Sequence, residues 1–239
     1  MSPFHELETI DVAAWLERAA NAQERFQIMY SVLRDRICML VYPPGTQLTE
    51  EGLAAEFGVS RSPLRKALQI LEADGLLQSQ QGVGTIVSEV DLEELIQVYQ
   101  LRMELNELAG KLSPSPATDT LKGLFEDMRK KAARLRETPT WEEFARLNID
   151  FFHAFQQLSD NEPLRDVSEK LFYQTCRIWL TYLPHMALTK EVEIFSREIE
   201  EIAGAVALGD IHAAALTRRA HLSMGLIRLR SLAHKGLLD

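Results

Sequence analysis

Residues 47–77, with the sequence QLTEEGLAAEFGVSRSPLRKALQILEADGLL, predict two short helices joined by a tight turn. Thr49 stands where an N-cap is needed, and the acidic Glu50 and Glu51 follow in the first turn, where the helix dipole favours negative charge. Gly58 then interrupts the helical spacing, as a glycine that ends a helix in the left-handed conformation does. The pattern therefore predicts that one helix ends at this glycine and that a second begins directly after it.

The second helix of this stretch has two chemically different sides. Ser60 is placed as its N-cap, and Pro63 falls in the first turn, where a missing N–H costs nothing. The apolar side carries Leu64, Leu68 and Leu71. The opposite side carries Arg61, Ser62, Arg65 and Gln69. A short helix with an apolar back and an arginine- and serine-rich front, placed after a glycine turn, is typical of a DNA recognition helix.

The segments on either side of the helical pair complete a small domain. Residues 24–40 predict an amphipathic helix that ends in a Pro-Pro-Gly turn, and residues 1–22 predict a further helix. After the pair, SQQGVGTIVSEV (residues 79–90) predicts a two-stranded hairpin around its two glycines. A helix, a helix-turn-helix and a hairpin together indicate a winged helix, in which the wing contacts DNA beside the recognition helix.

The chain from Asp91 onward carries helical spacing without strand signals. Proline-containing breaks and Gly209 divide it into segments. The predicted helices cover residues 91–112, 118–136, 140–158, 161–183, 189–208 and 211–234. Six such helices predict an all-α bundle. The predicted fold class is therefore mainly α, with an N-terminal extension (1–23), a winged helix-turn-helix domain (24–90) and an all-α domain (91–239).

Composition limits the possible classes of protein. The 239 residues are 46% hydrophobic and 26% charged, which is ordinary for a globular protein, and no apolar run approaches the ~20 residues that span a bilayer. The first residues are acidic rather than basic, so a secretory signal is not expected. Cys38 and Cys176 lie far apart in sequence within apolar helical patterns, which predicts buried thiols in a reducing cytoplasm rather than a disulfide framework.

The distribution of charge restricts how this chain could bind DNA. The net charge is −9, and residues 24–90 hold six Lys/Arg against eight Asp/Glu. The predicted DNA-binding domain is thus not basic overall, and its arginines must be concentrated on one face. We expect modest, salt-sensitive affinity per domain, and hence a homodimer on DNA.

These motifs resemble a known family. The sequence LRDRICMLVYPPGTQLTEEGLAAEFGVSRSPLRKALQILEADGLL (residues 33–77), followed by QGVGTIV (81–87), resembles the winged-helix domain of GntR-type bacterial transcription regulators. Weaker signatures downstream, including FFH at 151–153, are similar to the helical FCD-type domain of the FadR-like subgroup. The resemblance implies a dimeric, DNA-binding regulator that responds to a metabolite. One departure is Leu40, where the family usually has glycine, and a local change of the turn is expected there.

The resemblance also implies particular DNA contacts. The family's DNA-contacting positions fall here on Ser60, Arg61, Ser62, Pro63 and Arg65 in the recognition helix and on Gln81 and Gly82 in the wing. The chemistry agrees, because arginine can bind O6 and N7 of guanine together, and serine hydroxyls and helix N-termini suit phosphate oxygens. At Glu51 some relatives carry a further basic contact, which is not expected here. The expected partner is palindromic double-stranded DNA.

Many relatives bind Zn or Ni inside the bundle, and the resemblance predicts which ligands this chain retains. The usual set is an Asp or Asn four residues before a His, followed by one His on each of the last two helices. His153 and His221 match the first and last histidines. Ile149 and Ile199 replace the other two ligands, although Asp150 could still reach the metal because residues three apart share a helix face. Two imidazoles bind metal poorly, so a metal-free pocket is expected, with a bound divalent metal as the alternative.

The resemblance further implies a small carboxylate or sugar-acid effector. Arg102 lies where relatives keep an arginine near the cavity, which makes it the candidate anchor for a carboxylate. The other candidate effector-binding residues are Asn148, Asp150, His153, Tyr173, Arg177 and His221. Isoleucine in place of two metal ligands makes the expected cavity more apolar.

Three classes of function compete at this point. The first is a transcription regulator, usually a repressor in this family, that an organic acid releases from DNA. The second is an all-α metal-dependent enzyme fused to a DNA-binding module, but the sequence shows no nucleophile–base pair, glycine-rich phosphate loop or complete metal set. The third is a structural DNA-binding protein without a ligand, which the acidic helical domain disfavours. We therefore expect a regulator and not an enzyme.

Overall fold

The structure, a computed structural model, describes residues 11–182 and 186–233. In chain order the elements are α1 (Val12–Glu17), α2 (Ala22–Cys38), β1 (Gln47–Leu48), α3 (Glu50–Phe57), α4 (Arg61–Ala73), β2 (Leu77–Gln80), β3 (Gly84–Val87), α5 (Leu92–Ala109), α6 (Asp119–Glu137), α7 (Trp141–Gln156), α8 (Glu162–Tyr182), α9 (Leu188–Leu208) and α10 (Ile211–Ala233). The predicted fold class, mainly α with a winged helix-turn-helix followed by an all-α bundle, is confirmed.

Contacts divide the chain into two units. The N-terminal unit extends to Asp91 and includes the three residues Cys176–Ile178. The bundle unit contains the rest of the chain from Leu92 onward. The winged helix and the bundle are therefore described separately below.

The helix-turn-helix forms by local capping, as the sequence predicts. The Thr49 hydroxyl accepts a hydrogen bond from the Gly52 N–H at 3.1 Å, and Gly58 ends α3 in the left-handed conformation with φ of 61°. Ser60 occupies the N-cap position of α4, but its side chain makes no capping hydrogen bond. The prediction that Ser60 is the N-cap residue of α4 is therefore confirmed, and the helix begins where expected.

The apolar side of α4 lies at the centre of the N-terminal unit. Leu64 and Leu71 are fully buried and Leu68 is 5% exposed, as the helical spacing predicts. The helix packs against α2 and α3. Burying a leucine stabilises a fold by about 1.5–3 kcal/mol, so these three side chains fix the rotation of α4 about its axis and leave the arginine-bearing side in solvent.

The wing is a three-stranded antiparallel sheet with the order β1-β3-β2. Strands β2 and β3 form the predicted hairpin, and Gly82 in its turn has φ of 80°, which glycine adopts without strain. The sequence missed β1, which pairs Gln47 with Ile86 and Leu48 with Thr85. A two-residue strand shows no alternation of apolar and polar side chains, so periodicity cannot reveal it.

Helix α1 covers only part of the helix predicted for residues 1–22, and residues 1–10 lie outside the described range. It packs against α2 and α3. Val12 and Leu16, four residues apart, are buried, whereas Trp15 is 48% exposed although the sequence placed it on the same apolar side. The described part of the extension is thus a component of the winged-helix unit.

Helices α5–α10 form the predicted bundle, and the predicted ends at 183 and 234 lie outside the described residues. Thr140 caps α7 as expected, because its hydroxyl accepts a hydrogen bond from the Glu143 N–H at 3.2 Å. Helix α9 packs against α6, α10 packs against α5, and α9 and α10 pack against each other. Among the described residues, no helix is both long and apolar enough to cross a bilayer.

Two adjacent phenylalanines on α7 fix this helix within the bundle. Phe151 is fully buried and meets Phe125 of α6 and Phe195 of α9 edge to face, with ring centroids 6.3 and 5.6 Å apart. Phe152 stacks on Phe172 of α8 with centroids 3.9 Å apart and planes within 3°. Such aromatic pairs contribute about 0.5–1.5 kcal/mol beyond their burial, so the rotation of α7 is well determined.

The turn after α2 has the backbone that glycine favours, although residue 40 is leucine. Leu40 has φ of 58°, in the left-handed region, and its N–H donates to the Ile37 carbonyl at 3.2 Å. The left-handed conformation costs a residue with a Cβ roughly 1–2 kcal/mol. Leu40 thus adopts a conformation that glycine favours, and the strain of the turn lies in this residue. The expected difference from the turn of relatives stays a prediction.

Replacing this leucine should relieve the strain. Leu40→Gly is expected to raise the free energy of unfolding by about 0.5–1 kcal/mol, since the gain in the left-handed region exceeds the greater freedom of glycine in the unfolded chain. Urea unfolding followed by circular dichroism measures the change. Leu40→Ala is the matched control, because alanine loses the side chain but keeps the strain. Equal destabilisation by both variants would contradict the prediction.

Candidate nucleic-acid interface and bundle interior

The N-terminal half of α4 presents the predicted DNA-contacting residues on one exposed surface. Ser60, Arg61, Ser62 and Arg65 are exposed, and Pro63 is half-buried. Because the Ser60 hydroxyl makes no capping bond, it remains available to a phosphate oxygen at the helix N-terminus. The opposite side of α4 is buried, so the period of the helix alone brings these residues to the solvent-exposed side.

Arg65 is held by a glutamate from the preceding helix. Its Nε and Nη2 donate to Oε1 and Oε2 of Glu50, both at 2.8 Å. The hydrogen bond from Arg65 holds the pKa of Glu50 below its ordinary value, and the same bond raises the pKa of Arg65. Both groups are therefore charged at neutral pH, and the two parallel bonds fix the plane of the guanidinium.

Arg61 has a looser acidic neighbour. Its Nη2 lies 3.6 Å from Oε1 of Glu51, and the two side chains are 62% and 83% exposed. Exposed pairs of this kind contribute about 0–1 kcal/mol, so Arg61 can exchange Glu51 for another anion at little cost. Both arginines of the candidate interface thus face acidic residues in the first turn of α3.

The wing supplies the second part of the candidate interface. Gln81 and Gly82 are exposed at the hairpin turn, and a Cβ added to Gly82 would meet no atom within 4 Å. The space around this glycine suits a close approach of the backbone to a phosphate or sugar. The positive φ at Gly82 makes glycine the residue that this turn accepts without strain.

The other basic residues of the winged helix make contacts within the domain. Arg36 is 2% exposed, and its Nη1 donates to the Tyr42 hydroxyl at 2.8 Å and to Glu56. Arg25 donates to the Leu16 carbonyl, Arg34 lies beside Asp35, and Lys66 lies over the ring of Phe26. Arg25 and Lys66 are also exposed, so Arg61 and Arg65 are distinguished not by exposure but by their place on the outward side of α4.

In the bundle, Arg102 lies in a buried aromatic cluster. It is 5% exposed, and its guanidinium carbon lies 5.1 Å from the centre of the Tyr99 ring and 5.3 Å from that of Phe172. Nη1 donates to the Thr175 hydroxyl on α8. An arginine in such surroundings makes stronger charge-assisted bonds than one in water, which suits an anchor for a carboxylate.

The structure brings His153 and Tyr173 together but directs Asp150 elsewhere. Nε2 of His153 lies 3.0 Å from the Tyr173 hydroxyl, although the histidine as a whole is exposed and Tyr173 is 2% exposed. Asn148 is half-buried on the same helix. Asp150 is exposed and pairs with Lys131 of α6 at 2.5 Å. The geometry therefore does not show the shift of register that would let Asp150 bind the same metal ion as His153.

His221 lies on α10 and contacts a residue of α9. Its Nε2 is 2.8 Å from Oε2 of Glu201, and its Nδ1 is buried without a hydrogen-bond partner. Ile199, at the position of the middle ligand, is fully buried, and Ile149 is half-buried. In the part of the chain that the structure describes, no group of three or more His, Cys, Asp or Glu could hold a metal ion. The described donors therefore do not fit the metal set of the family.

Arg177 was a candidate for effector binding together with Tyr173. It is 3% exposed, but it belongs to the three residues that group with the N-terminal unit, whereas Tyr173 belongs to the bundle unit. The two residues are four apart on α8, so the sequence placed them on one face. The Nη1 of Arg177 donates to the Ser88 carbonyl at 2.8 Å, and both residues belong to the N-terminal unit.

Sequence reasoning missed a buried ion pair between α9 and α10. Arg218 donates through Nη1 to Oε1 of Glu198, with 5% and 8% of the two side chains exposed, and its guanidinium carbon lies 5.2 Å from the centre of the Phe151 ring. Glu198 stands in the charged run EIEE, which suggests a solvated face. The signal in the sequence that could have indicated its burial is its helical spacing from the apolar Phe195, Ile199 and Ile202, which are buried.

Comparison with known proteins identifies the class. Residues 27–87 match the family described as bacterial regulatory proteins, gntR family, and residues 97–224 match the FCD domain. The second match alone covers more than half of the chain. The chain therefore belongs to the GntR family of transcription regulators and carries an FCD domain, as the resemblance of its motifs predicted. These domains are those of transcription regulators rather than enzymes.

Individual relatives agree with this membership. The chain is 30% identical over 152 residues, 62% of its length and 68% of the relative's, to the uncharacterized HTH-type transcriptional regulator YdhC of Bacillus subtilis (strain 168). It is 31% identical over 121 residues, 49% of its length and 48% of the relative's, to the gluconate operon transcriptional repressor of the same organism. The structure of E. coli McbR/YncC has the same fold, with a TM-score of 0.75 at 17% identity, covering 87% of this chain and 98% of that one.

The buried ion pair leads to a prediction about stability. Glu198→Gln should lower the free energy of unfolding by about 3–5 kcal/mol, because it leaves the Arg218 charge buried and uncompensated. Glu200→Gln, an exposed change on the same helix, should alter it by less than about 0.5 kcal/mol. Chemical unfolding of both variants measures the difference.

A double replacement separates the pair from simple loss of packing. Glu198→Leu combined with Arg218→Leu should recover most of the stability lost in Glu198→Gln, since apolar residues of similar volume replace buried pairs at little cost. A double variant less stable than Glu198→Gln would show that the hydrogen-bonded pair itself stabilises the bundle.

Proposed function

We propose that this protein represses transcription by binding a palindromic operator as a cytoplasmic homodimer, and that a small organic acid bound in the bundle releases it. The observation that carries the proposal is the exposed face of α4, where Ser60, Arg61, Ser62 and Arg65 stand together on an apolar back. Membership of a family of DNA-binding regulators supports it. A dimer is favoured because two arginines per domain provide few phosphate or base contacts.

The residues of the interface take different roles in this proposal. Arg65 reads a guanine from the major groove, because Glu50 binds only its Nε and Nη2 side and leaves the Nη1 end for the base. Arg61 and the Ser60 hydroxyl bind phosphates at the N-terminus of α4. Gln81 and Gly82 contact the backbone or minor groove through the wing. The phosphate contacts position the helix, and the base contact specifies the sequence.

The effector proposal rests on the cluster around Arg102. Its guanidinium is buried between aromatic rings and linked to α8 through Thr175, next to the stacked Phe152 and Phe172. A carboxylate bound there would gain a charge-assisted bond with water excluded. A relative is a repressor of the gluconate operon, and gluconate is a sugar acid. His153 with Tyr173 is the second candidate element of this site.

We infer that the effector binds directly rather than through a metal. His153 and His221 each contact a different partner, Tyr173 and Glu201, and isoleucine stands at the two other ligand positions. The fully buried Ile199 and the half-buried Ile149 leave these two positions apolar where a metal centre requires donor atoms. Zn or Ni bound through the remaining histidines is the competing possibility, which analysis of the protein's metal content tests.

Release follows from linkage between the two ligands. An effector that favours one arrangement of the dimer changes the separation of the two recognition helices, which operator half-sites require to be about one helical turn of ~34 Å. By thermodynamic reciprocity, DNA must then weaken effector binding by the same factor. Sequence-independent DNA binding without a ligand effect would instead favour a structural DNA-binding protein, and substrate turnover would favour the enzyme.

Arg65→Ala tests the recognition helix. Its affinity for a duplex selected from a random-sequence pool by the wild-type protein should fall by about 1–3 kcal/mol per half-site, because the base contact is lost. Lys66→Ala is the matched control, since it removes the same charge from the neighbouring position that faces Phe26. Fluorescence anisotropy measures both. Unchanged affinity of Arg65→Ala would overturn the assignment of α4.

A thermal-shift screen of carboxylates and sugar acids tests the effector site. At about 100 times its dissociation constant, the effector should stabilise the protein by about 2.7 kcal/mol and raise the melting temperature by roughly 5–10 °C. Arg102→Gln should abolish the shift, whereas the exposed Arg134→Gln should retain it. The same acid should release the selected duplex. Stoichiometric zinc or nickel that survives dialysis would contradict the metal-free site.

A further inference from the structure

Two adjacent glutamates in the first turn of α3 contact the two arginines of the candidate DNA interface in different ways. Glu50 makes two parallel hydrogen bonds of 2.8 Å to Arg65. Glu51 makes one contact of 3.6 Å with Arg61. Residues 50 and 51 of α3 thus contact residues 65 and 61 of α4, respectively. The two pairs therefore differ in geometry and in exposure.

The Glu50 pair leaves Arg65 able to read a base. The guanidinium is planar, and its five N–H groups lie along different edges. Glu50 uses the edge formed by Nε and Nη2, so the end edge formed by Nη1 and the second hydrogen of Nη2 remains for O6 and N7 of guanine. Only 34% of the Glu50 side chain is exposed. Holding a flexible arginine in one plane before binding reduces the ordering cost when the base is bound.

The Glu51 pair has the opposite consequence. At 3.6 Å and with 83% of its side chain exposed, Glu51 neither fixes the guanidinium plane of Arg61 nor is shielded from a duplex. A phosphate that binds Arg61 must compete with this carboxylate for the same guanidinium. While Arg61 is paired with Glu51, it is also less available to displace a counterion from DNA.

We propose that Glu50 is a positioning residue that strengthens operator binding through Arg65, whereas Glu51 restrains Arg61 and weakens DNA binding of every sequence. The inference rests on the proposed binding of DNA by α4. It predicts opposite effects on DNA affinity for two carboxylates of equal charge at neighbouring positions. A change in net charge alone would therefore not explain both effects. Glu51 sets the affinity, and Glu50 contributes to sequence preference.

Isosteric neutral variants of the full-length protein test this directly. Glu51→Gln should bind both the selected duplex and a duplex of arbitrary sequence about twofold to fivefold more tightly per recognition helix. Glu50→Gln should bind the selected duplex about twofold to fivefold more weakly and discriminate less between the two duplexes. Glu50→Asp, which keeps a carboxylate, should restore part of the discrimination. Glu17→Gln, an exposed loss of the same charge on α1, should match the wild type.

Salt dependence provides a readout that folding defects do not change. Between about 50 and about 200 mM salt, Glu51→Gln should show a slope of log affinity against log salt that is steeper by up to about 0.9 per recognition helix, since Glu51 no longer offsets the charge that Arg61 presents to its phosphate. In an Arg61→Ala background, Glu51→Gln should have no effect on affinity. Thermal melting of each variant confirms that it is folded.

The outcomes separate this inference from the proposed function. Absence of DNA binding by the wild-type protein would overturn the proposed function. DNA binding that tightens in both glutamine variants would overturn the inference alone, because it would indicate a simple effect of negative charge. An effect of Glu51→Gln that persists with Arg61→Ala would also overturn it, since the residue would then act on phosphates directly.

Discussion

The burial of three leucines on one side of α4 is the constraint on which the DNA-binding unit depends. An acidic protein can approach a polyanion only if its few free cations face outward together. Leu64, Leu68 and Leu71 fix the rotation of the helix, and helical periodicity then places Arg61 and Arg65 on the solvent side. A slip of one residue would turn the helix by about 100°, so the apolar packing determines the electrostatic surface.

Most of the fold could be predicted because its signals are local. Thr49, Gly58 and Thr140 act at the ends of helices where their side chains or backbone preferences have direct effects, and the structure places each as predicted. Strand β1 and the conformation of Leu40 were missed because partners distant in sequence determine them. A short strand depends on β3 for its existence, and a strained leucine depends on a turn that the rest of the unit imposes.

The two candidate sites also differ in how far local sequence signals could predict them. The exposed face of α4 follows from periodicity and needed no knowledge of tertiary contacts. The bundle interior does not, because the interior face of α7 carries Phe151 and Phe152, whereas His153 and Asp150 lie towards its exposed side. Motif spacing alone could not show this rotation. The Glu198–Arg218 pair escaped prediction because burial of a charge depends on which partner a neighbouring helix provides.

The two-residue strand β1 has a consequence for how the wing and the helix-turn-helix communicate. Leu48 is paired with β3, and Thr49, the next residue, caps α3, so one peptide separates the sheet from the helix that carries Glu50 and Glu51. So short a connection restricts independent movement of β1 and α3. Because Leu48 is also buried, a displacement of β1 would act on Glu50 and Glu51 through Thr49 and through the packing of Leu48 in the core.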